Sequence, residues 1–266
     1  MGVKMKRFLK IYFTFTTQYI KRLVHYRLDF AIGVLSFVFV QFSGILLITL
    51  VFQQIPDLNG YTFEQMVFFY GFFQIPRGID HLITDNIWLI PNKIRKGELD
   101  RHLLRPIDPL FQIVAERFQH EAFGELIIGG ILIAITFPSL GIQPSLWTIF
   151  IMFALIIIGS LIYTSIKLLT ASISFWTMNS MQVMVTVYNI SDFAKYPITI
   201  FPTLIQTIIT YIVPFAFVSF YPAKVLLNQA NGLSILAQSS IALLIMASCA
   251  LWVWNTGLKG YESTGH

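Results

Sequence analysis

The sequence has little charge and almost no cysteine. Only 12% of its 266 residues are Asp, Glu, Lys or Arg, whereas a soluble domain carries about 25%. Hydrophobic residues make up 56% of the chain, so it lacks the polar surface that a water-soluble domain needs. Because Cys249 is the single cysteine, an intrachain disulfide is excluded. This composition predicts an integral membrane protein.

Motifs of common chemistries are missing as well. The chain contains no G-x-x-x-x-G-K-[ST] phosphate-binding loop and no G-x-S-x-G nucleophile motif. His120-Glu121 is not followed by a histidine at position 124, which is Gly124, so a zinc site is not predicted. The net charge of +5 lies in loops between apolar segments, which indicates membrane orientation and not nucleic-acid binding. We therefore predict no catalytic residue, no metal site and no cofactor on this chain.

Six apolar segments are long enough to cross the roughly 30 Å of hydrocarbon in a bilayer. They are residues 30–51, 63–83, 118–137, 146–166, 168–190 and 235–254. The predicted fold class is therefore an all-α integral membrane protein with six transmembrane helices. Residues 29–266 are predicted to form a single transmembrane permease domain.

A seventh apolar stretch, residues 198–220, contains Pro202 and Pro214 and is followed by Pro222. Proline removes a backbone donor and disfavours helix in the residue before it. We predict that residues 196–223 form a re-entrant helical hairpin in the outer leaflet. The alternative is a seventh span, which would move the C-terminus to the outer side.

Lysine and arginine are distributed asymmetrically. Seven precede the first span and seven lie between Arg77 and Arg117, whereas the connections 53–61 and 138–145 carry none. By the positive-inside rule, the N-terminus and the loop after the second span are cytoplasmic. With six spans, the C-terminus is cytoplasmic too.

The basic N-terminal segment is predicted to be an interfacial helix. Residues 4–26 place aromatic and aliphatic side chains three or four apart, with most lysines off that stripe. Such a helix lies in the headgroup plane and contacts anionic lipid. Residues 1–28 would then form an elbow that leads into the first span, the alternative being a basic arm without a fixed position.

The cytoplasmic loop, about residues 86–109, is shaped for docking. Gly97 permits a sharp turn, and Pro106 and Pro109 are predicted to end helix. Its apolar residues can share one face of one or two short helices: Ile94, Leu99, Leu103 and Leu104. Such an element fits a groove on a soluble partner, and the alternative is an ordinary positively charged loop.

Polar residues inside the predicted spans are candidates for a translocation path. These candidates are Glu125, Ser174, Asn179 and Gln182. Polar groups at membrane depth face another helix or a water-lined path. Hydrogen bonding between helices, including a dimer seam, is the alternative for the 168–190 segment. For Glu125 the alternatives are a proton relay and simple ion pairing.

Several motifs occur in the order found in one transporter family. The first set is Ile94, Gly97, Leu99, Leu104-Arg105-Pro106 and Pro109, which resembles I-x-x-G-x-L…L-R-P-x-x-P. The second set is Phe175-Trp176, Tyr196-Pro197, Ile200-Phe201-Pro202, Pro214-Phe215-Ala216-Phe217 and Tyr221-Pro222-Ala223. Together they resemble the permeases of type-2 ATP-binding-cassette exporters, of the multidrug and viologen exporter kind.

The resemblance implies a half-transporter in the plasma membrane of a prokaryote. Such permeases work as a homodimer or as a heterodimer with a sibling permease, and they export amphiphilic or hydrophobic substrates. A separate ATPase subunit binds ATP and Mg²⁺ and docks on a cytoplasmic loop, here Ile94, Gly97, Glu98, Leu99, Leu103, Leu104, Arg105 and Pro106. The structural proline-aromatic motifs would be Trp176, Tyr196, Pro197, Pro202, Pro214 and Pro222. The alternatives are an ion-driven secondary transporter and a non-transporting membrane scaffold.

Overall fold

The computed structural model describes residue 17 and residues 27–116, 119–177 and 179–262. The predicted elbow over residues 1–28 lies almost wholly outside these residues. In the described part the chain is helical, without a strand. Its α-helices are α1 (Arg27–Phe52), α2 (Phe63–Thr84), α3 (Ile90–Arg95), α4 (Asp100–Leu103), α5 (Pro109–Ala115), α6 (Phe123–Ser139), α7 (Leu146–Ser172), α8 (Ser174–Thr177), α9 (Met181–Ile190), α10 (Thr203–Thr207), α11 (Phe220–Leu226) and α12 (Gly232–Lys259).

Three of these helices are long and apolar enough to cross a membrane: Ala31–Phe52, Leu146–Thr177 and Gly232–Lys259. They confirm an integral membrane helical protein. α2 has the length of a span, but its polar residues lower its hydropathy, and α6 is a shorter apolar helix of 17 residues. The count of six spans stays a prediction.

The bundle has two ends that differ in their contacts. At the first, which we call the 85–116 end, Ile87 and Leu99 pack with Trp254 near the end of α12. At the opposite end, the Asn59 side chain donates a hydrogen bond to the Thr199 carbonyl (2.9 Å). Because α12 starts near the opposite end and finishes at the 85–116 end, residues 260–262 lie beside the 85–116 segment.

α2 and α6 approach closely because both carry glycine at their contact. A Cβ atom on Gly71 would lie 2.7 Å from Cβ of Leu132, and one on Gly129 would lie 2.9 Å from the Gly71 carbonyl oxygen. Small residues allow such approach between helices in a membrane. This contact fixes the position of α6, and therefore of Glu125, relative to α2.

Replacing Gly129 by leucine is expected to force α2 and α6 apart. Overpacking of this kind lowers the free energy of unfolding by about 1–3 kcal/mol, which thermal unfolding in detergent would measure. Gly130 is the matched control, since a Cβ atom there would have no atom within 4 Å. Gly130→Leu should stay within about 0.5 kcal/mol of the parent chain; equal losses at both glycines would contradict the close contact.

The prediction of a fifth span over residues 168–190 is wrong. α7 continues to Ser172, and α9 begins only at Met181. The hydroxyl groups of Ser174 (2.5 Å) and Ser180 (3.2 Å) both donate to the Ala171 carbonyl in the last turn of α7, which also accepts from the Ile173 amide. These local bonds compete with a continuous helix. The polar segment after Ser172 is therefore a break at the 85–116 end.

The proline-rich stretch forms two helices that meet at a sharp angle. Thr203–Ile212 and Phe215–Leu226 are bent by 77° at their break. Phe215, at the break, packs on Tyr163 in the middle of the bundle (ring centroids 4.9 Å apart). Leu226 packs with Ile151 and Ile235 toward the opposite end. The start of the first helix and the end of the second therefore both lie toward the opposite end of the bundle.

Candidate functional site: the 85–116 segment and the buried ion network

The 85–116 segment is a folded unit of short helices. A 3₁₀ turn over Asp85–Leu89 leads directly from α2 into α3. Gly97 then adopts a φ of +67°, which favours glycine and reverses the chain between α3 and α4. Asp108 caps α5 by accepting a hydrogen bond from the Phe111 amide (2.8 Å). The turn at Gly97 and the helix end near Pro106 are as the sequence predicts. The prediction that Pro109 ends a helix is wrong, because Pro109 starts α5, where the first N–H groups have no partner within the helix and proline is tolerated.

The predicted apolar face of this segment is divided in the structure. Ile94 and Leu99 are 2% and 0% exposed and pack inside the chain with Ile113. Leu103 and Leu104 are 42% and 85% exposed. Arg105 and Pro106 are exposed, and Glu98 is half-buried. We call the four residues from Leu103 to Pro106 the exposed tip.

The exposed tip is held on a braced support. The Gln112 side chain donates to the carbonyl groups of His102 (2.8 Å) and Ile107 (2.7 Å). Lys93 forms an ion pair with Glu116 (2.7 Å), which joins α3 to the end of α5. These contacts cross-link the two halves of the segment, so the tip projects from a fixed base.

The end of α12 contacts the same segment. The Tyr261 hydroxyl donates to Asp100 Oδ1 (2.9 Å). Partial burial, together with this hydrogen bond, raises the pKa of Tyr261 to about 12. The phenol therefore stays protonated, and keeps donating, at neutral pH.

Four side chains from α2, α6 and α9 form a closed ring inside the bundle. Arg77 Nε lies 3.5 Å from Glu125 Oε1 and donates to the Tyr188 hydroxyl (2.7 Å). His81 Nδ1 lies 3.0 Å from Glu125 Oε2, and His81 Nε2 lies 2.5 Å from the Tyr188 hydroxyl. Arg77 also reaches Asp192 (3.5 Å), just beyond α9. We call Arg77, His81, Glu125 and Tyr188 the four-residue ring.

A second buried pair fastens α2 to α7. Lys167 Nζ lies 2.7 Å from Asp80 Oδ2, with side-chain exposures of 3% and 0%. Asp80 Oδ1 also accepts from the hydroxyl groups of Thr84 (2.6 Å) and Thr164 (2.7 Å). Buried charges in a membrane protein need such partners. α2 is thus held on two faces just before it enters the 85–116 segment.

The four predicted path residues do not meet at one site. Glu125 is fully buried in the four-residue ring, and Ser174 is fully buried at the end of α7. Asn179 and Gln182 are exposed near the start of α9. Thr186 and Asn189 continue this exposed polar face at helical spacing. The face of α9 is therefore available to water or to another chain.

The residue before each of two prolines is extended, as expected from their steric effect. Tyr196 and Phe201, which precede Pro197 and Pro202, have ψ values of 159° and 157°. Pro214 is buried at the break of the bent pair, and Pro222 is buried in the first turn of α11. Trp176 is 59% exposed at the 85–116 end. These motifs shape the backbone rather than gather at one site.

Sequence reasoning missed the pairing of Arg77, His81, Asp80 and Lys167 with other helices. The available signal was the presence of charged residues inside or next to apolar segments. Within the described ranges, no group of three or more His, Cys, Asp or Glu residues is placed to hold a metal ion.

Comparisons with known proteins place the chain in one family. Residues 38–265 match the family model described as ABC-2 family transporter protein. No curated protein and no solved structure matches. The family match covers most of the chain, including α2, the 85–116 segment and α12. This chain is a membrane component of the ABC-2 transporter family, whose permeases have no ATPase site of their own and normally work with an ATPase subunit.

Proposed function

We propose that this chain is the permease subunit of an ATP-binding-cassette exporter, driven by an ATPase on a separate chain. The observation that carries the proposal is the exposed tip, which presents Leu104 at 85% exposure on a braced base. Apolar residues fixed in an exposed position fit a groove on a soluble partner better than a mobile loop does, because less entropy is lost on binding. Ile94 and Leu99 support the tip from inside, and Gly97 sets its direction.

The topology that we propose has six spans, in which α9 and the 3₁₀ turn after it (Ser191–Lys195) make the fifth crossing and the bent pair is a re-entrant hairpin. The contacts of Phe215 in the middle of the bundle and of Leu226 toward the opposite end support a segment that enters and leaves on the same side. The position of Tyr261 beside Asp100 supports an even number of crossings between the 85–116 segment and residue 261. The basic residues of the 85–116 end favour a cytoplasmic position for that end. The proposed membrane is the plasma membrane of a prokaryote.

The exposed polar face of α9 is the proposed wall of the translocation path. Gln182, Thr186 and Asn189 are polar and exposed, and they follow one another at spacings of four and three residues on this helix. Such a row is unfavourable against lipid, so a second permease or a water-lined path covers it. A homodimer or a heterodimer with a sibling permease would place two such faces together. An amphiphilic or hydrophobic substrate would leave between them.

An ion-driven secondary transporter is not supported by the position of Glu125. Its carboxylate is fully buried and paired with Arg77 and His81, away from the exposed face of α9. A proton relay needs access to water on each side of the membrane, which this position does not offer.

Co-purification tests the proposal. A tagged chain extracted from the membranes of its own source is expected to bring down a second chain that carries the G-x-x-x-x-G-K-[ST] motif, and the preparation should hydrolyse ATP. Recovery of the intact permease with no such chain, and with substrate movement that needs only an ion gradient, would contradict it.

A further inference from the structure

The four-residue ring joins α2, which leads into the 85–116 segment, to the path helix α9. Arg77 and His81 both belong to α2, which runs without interruption into the Asp85–Leu89 turn. Tyr188 belongs to α9, one residue before Asn189 of the exposed polar face. A displacement of the 85–116 segment along α2 therefore reaches the ring before it reaches any other polar contact with α9.

Tyr188 is held by directional bonds as well as by packing. Its ring stacks on His81 with centroids 5.7 Å apart and meets Trp88 edge-on at 5.4 Å. Its hydroxyl accepts from Arg77 and lies within bonding distance of His81 Nε2. His81 contacts Glu125 through Nδ1 and the Tyr188 hydroxyl through Nε2, so every ring member has a partner. Arg77 and His81 each pair with Glu125 and each contact the Tyr188 hydroxyl, so every contact in the ring depends on that hydroxyl or on Glu125.

Few other contacts join α9 to α2. Arg77 also reaches Asp192 at 3.5 Å, but the Asp192 side chain is 49% exposed, so water weakens this ion pair. Asp192 pairs more closely with Lys195 (2.8 Å), three residues away. The four-residue ring is thus the strong polar joint between the two helices.

We infer that the Tyr188 hydroxyl is a positioning group, through which movement of α2 is passed to the polar face of α9. This inference rests on the proposed function. Arg77 and His81 carry the movement of α2, and Glu125 keeps their two side chains in register from α6. Two sites are coupled when one element with distinct arrangements is biased by both. The ring is a small, discrete contact that can serve as such an element.

The test is a distance measurement in the purified complex of permease and ATPase. Spin labels are placed at Gln182 on α9 and Leu244 on α12, both exposed, in a Cys249→Ser background. Labelled chain is diluted with unlabelled chain so that distances within one subunit dominate. Addition of a non-hydrolysable ATP analogue with Mg²⁺ is expected to shift the Gln182–Leu244 distance. In Tyr188→Phe the population that shifts should fall about fivefold or more, the lower range of allosteric coupling.

Tyr211→Phe is the matched control. Tyr211 is 80% exposed and its hydroxyl has no hydrogen-bond partner among the described residues, so the same chemical change there should leave the shift intact. Arg77→Lys serves as a second variant, because it keeps the charge near Glu125 but loses the planar group that also reaches Tyr188. It should also reduce the shift.

Three outcomes separate the possibilities. A full shift in Tyr188→Phe with a lower melting temperature would make the hydroxyl merely structural and overturn the inference. No shift in the parent complex, with the ATPase bound, would also overturn it, because α9 would not respond to nucleotide. Absence of the ATPase from the parent preparation would instead contradict the proposed function, and the inference would fall with it.

Discussion

Replacing Lys167 by methionine is expected to lower the free energy of unfolding by about 3–5 kcal/mol, the usual loss when one partner of a buried ion pair is removed. Asp80 would keep its bonds to Thr84 and Thr164, but its charge would be buried without a countercharge. Methionine keeps the length and apolar character of the lysine stem, so packing changes little. Unfolding in a detergent titration measures the loss.

Two further variants show whether charge is the cause. Adding Asp80→Asn to Lys167→Met removes both charges and should restore more than half of the lost stability. Glu116→Gln is the control, because Glu116 and Lys93 form a pair of the same length (2.7 Å) in which Glu116 is 45% exposed. Water can replace that carboxylate, so the loss there should not exceed about 1 kcal/mol. A double variant as unstable as Lys167→Met alone would contradict the account.

The sequence predicts well those helices whose apolar run is bounded by polar caps. Hydropathy predicts a helix over residues 63–83, and α2 spans Phe63–Thr84 because Thr62 and Gln65 form a capping box at its start. The predicted span 235–254 lies within α12, whose start is capped by Asn231. These signals are local in sequence, so hydropathy and cap residues are enough to find them.

The break after α7 could not be found by hydropathy. Apolar residues continue across positions 146–190 with Lys167 as the only charge, so the pattern does not show where one helix ends. The end of α7 depends on which carbonyl group accepts the hydrogen bonds of the Ser174 and Ser180 hydroxyl groups. The carbonyl group that accepts these bonds is determined by the three-dimensional arrangement of the chain, which hydropathy does not describe.

The sequence also does not show which residues of the ion network pair with one another. Arg77 and Tyr188 are separated by 111 positions, and nothing local to either residue indicates the other. The divided face of the 85–116 segment has a related cause. Ile94 and Leu104 are equally suited to a core and to a docking surface, and only the packing of Ile94 against Ile113 separates their roles.

Replacing Leu104 by aspartate is expected to weaken binding of the ATPase about 30-fold or more. An apolar residue that anchors an interface contributes about 2 kcal/mol or more, and a carboxylate in its place must be desolvated. Because Leu104 is exposed in the permease itself, the change should leave the fold and membrane insertion intact. Titration of the purified ATPase against the permease in detergent measures the affinity.

The measurement that tests the central claim most directly compares Leu104→Asp with Leu146→Asp. Leu146 is an equally exposed leucine (87% against 85%), but it starts α7 at the opposite end of the bundle. The account predicts that Leu104→Asp loses the ATPase while Leu146→Asp binds it like the parent chain. Full binding by Leu104→Asp, or equal loss from both variants, would contradict the assignment of the exposed tip as the contact with the ATPase.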